Sequence, residues 1–354
     1  MDKSNSKLSL LYAQVDKKLK SLKLNQGRLC AYLFPFALFD EHSVCLMVDG
    51  EPTIRDKTLY GSQFVANTAI PWEGGYMATW FVAEDIDLDR LSSKMLHEMY
   101  HAHQNSVDDR RFADEQGAIF ECRADAKYLS IKARENALIV QLTSICDADA
   151  MRQLAALRRT RRALYPYESE YEAKVETIEG MAQYVEMMAL LQLNPMLYNE
   201  SITKMKKRVL SQTEMLPIRI PCYDTGTLLL LAMAQNGIDV GRCAASCLTI
   251  SEVLTGEGEE TIAVETDERF VELVKNDELE QRARIDAIKD AKPLVQGEGL
   301  KLLGVNIYSA RFLNGYIYSE YFVMFEDKGE EKLLEGNYLI KMADRERIEA
   351  IYSA

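Results

Sequence analysis

The chain has 354 residues, of which 55 are acidic and 42 basic, for a formal net charge of −13. At 47% hydrophobic and 27% charged residues it can build a core, which excludes a disordered or collagen-like chain. The acidic balance argues against a nucleic-acid partner, because phosphate neutralisation needs clustered Lys and Arg.

No run approaches the ~20 uninterrupted apolar residues of a membrane span. The start, Met1 to Lys7, lacks the basic, apolar and small-residue segments of a signal peptide. Seven cysteines, an odd number without a CxxC pair, suggest reduced thiols, so a soluble cytoplasmic protein is expected. Leu8 to Leu24 carries apolar residues at helical spacing. Cys30–Phe39, Ser43–Val48 and Phe64–Ile70 are short β-branched or aromatic runs, separated by Asp40-Glu41, Asp49-Gly50 and a turn over Pro71-Trp72-Glu73-Gly74-Gly75. Tyr76–Ala83 is the return strand, giving a small mixed sheet over residues 1–85.

From Asp87 the period turns helical. Asp87 or Asp89 caps a helix through Ala102, and further helices are predicted at Ala113–Leu142, Ala148–Leu164, Tyr171–Leu193 and Gly226–Ala234. Pro166 and Asn194-Pro195 act as breaks. Thr255 to Glu260 is the best linker candidate, dividing a helical core (86–255) from a C-terminal region (256–354). That region holds an amphipathic helix over Glu265–Lys292. Strands follow from Leu300 to Met342, turning at Asn314-Gly315 and Asp327-Lys328-Gly329. The fold class expected is α+β: an N-terminal mixed sheet, a mainly helical core, and a C-terminal helix with antiparallel β-hairpins.

Three of the four histidines fall within seven residues, and His97-Glu98-Met99-Tyr100-His101 is an HExxH arrangement. Residues i and i+4 share a helix face, so both imidazoles can reach one zinc ion, while Glu98 is placed to take a proton from a water on that metal. By chance such a pattern should arise only about 0.004 times in a chain with this histidine content, so it is read as a site. The position six residues past His101 is Val107, which leaves a carboxylate as the third ligand.

Two glutamates compete for that position. Glu121 follows His101 after 19 intervening residues and begins a Glu-x-x-x-Asp pattern ending at Asp125. Glu179 follows after 77 and begins Glu179-Gly180-Met181-Ala182-Gln183-Tyr184. The first interval and pattern resemble thermolysin. The second, EGxAxY, resembles the third-ligand helix of aminopeptidase-N-type enzymes and bacterial collagenases.

Over about residues 60–240 the combination of HExxHAxQ, a helix with ExxA, paired arginines and EGxAxY resembles bacterial gluzincin-like proteins. That resemblance implies a zincin-like core and a zinc-dependent metallopeptidase acting on a peptide or protein substrate. Glu179 is then the preferred ligand, with Glu121 orienting His97 or His101. Gly180 and Ala182 would keep the ligand helix thin against the HExxH helix. Arg158, Arg159, Arg161 and Arg162 would supply a buried ion pair for whichever glutamate is off the metal, or a solvated helix face.

Tyr223 is the candidate donor to the developing oxyanion, since no downstream histidine remains. Gln104 and His103 are read as supporting or capping groups. The segments Asn67–Ile70 or Tyr76–Trp80 would pair with extended substrate as a sheet edge. A different reading, a metal-stabilised scaffold that binds a protein partner without catalysis, needs the histidines but not Glu98.

Overall fold

The computed structural model describes residues 3–24, 31–61, 63–82 and 86–354. Cys30 and Ala83, at the ends of two predicted strands, lie outside them, as do Met1, Asp2 and the predicted boundary at residue 85. The architecture is α+β, with a mixed sheet near the N-terminus, a helical middle and an antiparallel sheet near the C-terminus.

Helix α1 (Lys3–Ser21) buries Leu8, Tyr12, Val15 and Leu19, a 4-3-4 spacing that makes one apolar stripe. It packs on a sheet of β1 (Phe36–Phe39), β2 (Ser43–Val48), β3 (Glu51–Asp56), β4 (Thr68–Trp72) and β5 (Gly75–Phe81), in the order β3-β2-β1-β5-β4. Strands β1 and β5 are parallel and the other pairs antiparallel. Tyr12 stacks on Phe36 at 4.1 Å and donates to its carbonyl.

Strand β1 is shorter than the predicted run because Pro35, just before it, has no N–H for a ladder. Pro71 and Trp72 belong to β4 rather than to a turn, which is possible because β4 is an edge strand. The turn itself is Glu73-Gly74, both in the left-handed region at φ 46° and 82°.

The middle of the chain comprises α2 (Leu88–Ser106), α3 (Glu115–Glu121), α4 (Ala126–Leu142), α5 (Ala148–Leu164), α6 (Pro166–Leu193), α7 (Pro195–Leu210), α8 (Ile220–Gln235), α9 (Gly241–Ala245) and α10 (Ile250–Thr255). The helix predicted over 113–142 is two helices, because the Asp125 side chain accepts from the Tyr128 amide and starts α4 afresh. Pro166 and Pro195 start helices at a position where a missing N–H costs nothing, and so act as beginnings as well as breaks.

Helix α6 is the buried axis of this region. It meets α8 backbone to backbone: a Cβ on Gly180 would lie 2.7 Å from Gly226 Cα, and one on Gly226 would lie 2.5 Å from the Glu176 carbonyl oxygen. The glycine of EGxAxY is therefore required by α8, not by the HExxH helix as expected from sequence.

The arginine run does not serve Glu121 or Glu179. Arg158 and Arg161 are buried with Lys132 of α4 and pair with Glu135, Glu172 and Glu176. Arg159 instead donates to the carbonyls of Thr255 and Glu260. With Thr160 exchanging hydrogen bonds with Ile262, it docks the predicted linker against α5.

Beyond it, α11 (Glu268–Ile288) buries Phe270 and Ile285 and leaves Leu279 exposed. Strands β6 (Val295–Val305), β7 (Arg311–Leu313), β8 (Tyr316–Ser319), β9 (Phe322–Asp327), β10 (Glu330–Glu335), β11 (Tyr338–Met342) and β12 (Arg347–Ser353) form one antiparallel sheet, ordered β10-β9-β6-β12-β11-β8-β7. Its apolar face takes in Phe120 of α3, whose ring lies 4.9 Å from that of Phe312. No helix among the described residues is long and apolar enough to cross a membrane.

Candidate metal centre

Asp87 caps α2 by accepting from the amides of Asp89 and Arg90. Leu91, Met95, Leu96, Met99 and Ala102 then bury one face, which fixes the rotation of the helix and turns His97 and His101 towards α6. The two Nε2 atoms lie 3.1 Å apart. Glu179 Oε2 of α6 is 3.3 Å from the His101 Nε2 and 4.0 Å from that of His97.

Hydrogen-bond chemistry fixes what those atoms carry. The Nδ1 of His97 is 3.1 Å from Glu186 Oε2, and a carboxylate oxygen can only accept, so Nδ1 holds the proton. Gln104 donates through Nε2 to the Ile178 carbonyl, which leaves its Oε1 to accept from His101 Nδ1 at 2.7 Å. With a proton on each Nδ1, it is the Nε2 of each ring that faces the carboxylate oxygen of Glu179, as a lone pair whenever that nitrogen is unprotonated. Three acceptor atoms facing one another repel unless a cation lies between them. Their mutual distances, all within 4.8 Å, are those of a group that could hold a metal ion.

Without a metal, a proton takes that place. Burial would lower the His101 pKa, but the hydrogen bond to Glu179 and the charges of Glu179 and Glu98 push it up to about 9. Burial raises Glu179 in turn, and the bond from His101 with the charges of His101, Arg219 and His97 holds it at about 2. Glu98 is buried beside them, and burial raises its carboxyl above the usual range despite the two histidines. Glu186 stays below that range, because the bond from His97 and the charge of Lys94 outweigh its burial.

The site opens into a cleft of about 440 Å³ lined also by Asn67, Thr68, Trp80, Phe112, Gln183 and Tyr223, a volume in the ligand-sized range. Asn67 and Thr68 bring to the site the outer edge of β4, which pairs only with β5 among the described residues. Of Tyr76–Trp80, the part from Ala78 onward cannot act as such an edge, because β1 pairs with it on one side and β4 lies on the other. Tyr223 accepts from Arg219 Nη1 at 2.8 Å, and burial together with the Glu179 charge pushes its phenol upward, so it stays protonated.

Of the residues singled out in the sequence, His97, Glu98, His101, Glu179 and Tyr223 meet at this cleft. Glu121 does not: it ends α3, half-exposed, and pairs with Arg345 of the C-terminal sheet. The orienting role foreseen for it falls to Glu186 on His97 and Gln104 on His101. His103 lies apart, its ring 4.4 Å from that of Tyr32.

Three further residues of the site had not been singled out. Glu186 was readable, since Glu172, Glu176, Glu179, Gln183 and Glu186 form a polar stripe at 4-3-4-3 spacing along an otherwise buried helix. Arg219 and Tyr308 carry no local signal, as they reach the site only through the tertiary fold. Comparison with protein-family models, curated proteins and solved structures gives no match for this chain.

Proposed function

We propose that the chain is a zinc-dependent metallopeptidase, with His97, His101 and Glu179 as protein ligands and Glu98 as the general base. One observation carries the reading: two imidazole lone pairs and a carboxylate oxygen converge, each imidazole held in that tautomer by its own partner. Two nitrogens and one carboxylate oxygen, leaving a position open, are the donor set of a catalytic zinc site. A bound zinc ion supplies Lewis acidity, lowering the pKa of a coordinated water and polarising a carbonyl.

The protein's own groups do the rest. Glu98, buried and shifted upward, is suited to take the proton of the attacking water and to return it to the leaving amine nitrogen. Tyr223, protonated at the cleft wall, donates to the oxyanion that develops on the carbonyl. Strand β4 pairs only with β5 among the described residues, so its outer edge offers backbone donors and acceptors to an extended peptide.

The test is zinc content together with cleavage of a mixed peptide library. Wild type is expected to hold one zinc per chain and to cleave. Glu98→Gln should keep the metal and lose about 10²–10⁴-fold in turnover, whereas Glu179→Ala should lose the metal itself. Stoichiometric zinc with no Glu98-dependent cleavage would overturn the peptidase reading, and absence of zinc binding at micromolar metal would overturn the whole proposal.

A further inference from the structure

Arg219, buried at the start of α8, links three elements. Its Nε donates to Glu115 at 3.0 and 3.1 Å, its Nη2 to Glu179 Oε1 at 3.1 Å, and its Nη1 to the Tyr223 oxygen at 2.8 Å. The guanidinium lies over both phenol rings, 5.3 Å from the centroid of Tyr223 and 4.8 Å from that of Tyr308, whose own centroids are 6.3 Å apart. Tyr308 comes from the C-terminal sheet, and its hydroxyl is 2.6 Å from that of Tyr223.

The loop that delivers Tyr308 is built rather than loose. Asn306 Oδ1 accepts from the Tyr308 amide, the Asn306 carbonyl accepts from the amides of Ser309 and Ala310, and Ser319 Oγ takes the Asn306 amide. The turn between β6 and β7 is thereby pinned to β8, with Tyr308 at its tip facing the helical core.

The protons of this group can be counted. The Tyr223 oxygen already accepts from Arg219, and a phenol has one proton to give. If Tyr308 donates across the 2.6 Å contact, the Tyr223 oxygen accepts twice and its own proton is left for the cleft. Two donors on one oxygen also polarise its O–H, strengthening the bond it makes in turn.

We propose that Tyr308 is a positioning residue for the reaction: with Arg219 it saturates the acceptor side of the Tyr223 hydroxyl and aims that proton at the substrate oxyanion, so the C-terminal sheet completes the active site. This rests on the metallopeptidase reading and on Tyr223 as the oxyanion donor. It gives residues 256–354 a part in the chemistry, through a side chain 85 positions away in sequence from the one it orients.

The test compares Tyr223→Phe, Tyr308→Phe and Tyr308→Ala with wild type in the full chain. It reads zinc stoichiometry, kcat and KM separately on one cleaved library peptide, and affinity for a phosphinic peptide analogue of that substrate, whose tetrahedral anion mimics the transition state. Tyr223→Phe should lose about 10²-fold in kcat and in phosphinic affinity. Tyr308→Phe, which keeps the ring over Arg219 and deletes one hydroxyl, should lose about tenfold in both, with KM and zinc unchanged. Tyr308→Ala should lose at least as much.

If Tyr308→Phe matches wild type while Tyr223→Phe is impaired, the assignment to Tyr308 is overturned and the peptidase reading stands. A loss in Tyr308→Phe confined to KM also overturns it, since a positioning role acts on the transition state. Should wild type bind neither zinc nor the phosphinic probe, it is the underlying function that fails.

Discussion

Helix α6 carries two buried acidic clusters one helical turn apart, and they have opposite designs. In the brace, Glu172 and Glu176 join Glu135 against Lys132, Arg158 and Arg161, three acids against three bases. Thr225 adds a hydrogen bond to Glu176 at 2.7 Å, and the Tyr128 hydroxyl accepts from Arg161 at 3.0 Å. In the site, Glu98, Glu179 and Glu186 face His97 and His101, an Arg219 shared with Glu115, and a partly exposed Lys94 at 3.9 Å from Glu186. The brace is balanced and nearly saturated. The site is short of positive charge at the point where its lone pairs meet. Buried charge of the first kind ties helices together, and buried charge of the second kind asks for a cation.

Removing one base from the brace should have the largest effect. Arg161→Met leaves Glu135 and Glu172 with less compensation in the interior, and stripping one partner from a buried ion pair typically costs about 3–5 kcal/mol. Urea denaturation should show that loss, while the folded fraction still binds zinc with wild-type affinity. A variant that lost zinc affinity without losing stability would mean that the two clusters are one.

Acid should attack the brace next. Burial alone would raise both carboxyls, but Arg158 and Lys132 hold Glu176 below the ordinary range, and Arg161 and Lys132 do the same for Glu172. Groups with depressed folded values take protons first in the unfolded chain. Their stabilisation is therefore complete above about pH 4.3 and is lost as the pH falls from there through the folded values. Metal-free protein followed by circular dichroism should unfold in that acid window, and Arg161→Met should unfold at higher pH than wild type. Equal acid midpoints would count against the pairing.

Within the site the expected effect is smaller in stability and larger in metal binding. Glu186→Gln keeps the shape but weakens the hydrogen bond that fixes the His97 tautomer, and such supporting groups are typically worth about 10–100-fold in metal affinity. Zinc titration against a competing chelator should read that change, with the urea midpoint of the metal-free protein nearly constant. An unchanged zinc affinity would show that Glu186 does not orient the ligand.

What was legible in the sequence divides along the same line of locality. His97, Glu98 and His101 lie within five residues, so helical geometry alone places them together, and Asp87 marks where that helix begins. The C-terminal turns at Asn314-Gly315 and Lys328-Gly329 were readable for a similar reason, since both pairs adopt positive φ. Strand β3 was missed because Glu51-Pro52-Thr53-Ile54-Arg55-Asp56 is polar and contains proline, which an edge strand tolerates and a sequence pattern penalises. Arg219 and Tyr308 were not legible at all, because their meeting with Glu179 and Tyr223 depends on how α8 and a β-turn dock on α6.

Glu121 shows how a pattern can hold two meanings, and it supplies the smallest effect. The Glu-x-x-x-Asp spacing that made it a ligand candidate has a structural cause: Asp125 is the cap of α4, and Glu121 is the last residue of α3 before the break. At that break Glu121 is half-exposed and pairs with Arg345 of the C-terminal sheet. An exposed ion pair of this kind is worth about 0–1 kcal/mol. Glu121→Ala should therefore shift the urea midpoint slightly, towards lower stability, by weakening the contact between α3 and the C-terminal sheet, and should leave zinc stoichiometry and affinity as in wild type. Loss of zinc in Glu121→Ala but not in Glu179→Ala would reverse the choice between the two carboxylates and, with it, the contrast between brace and site.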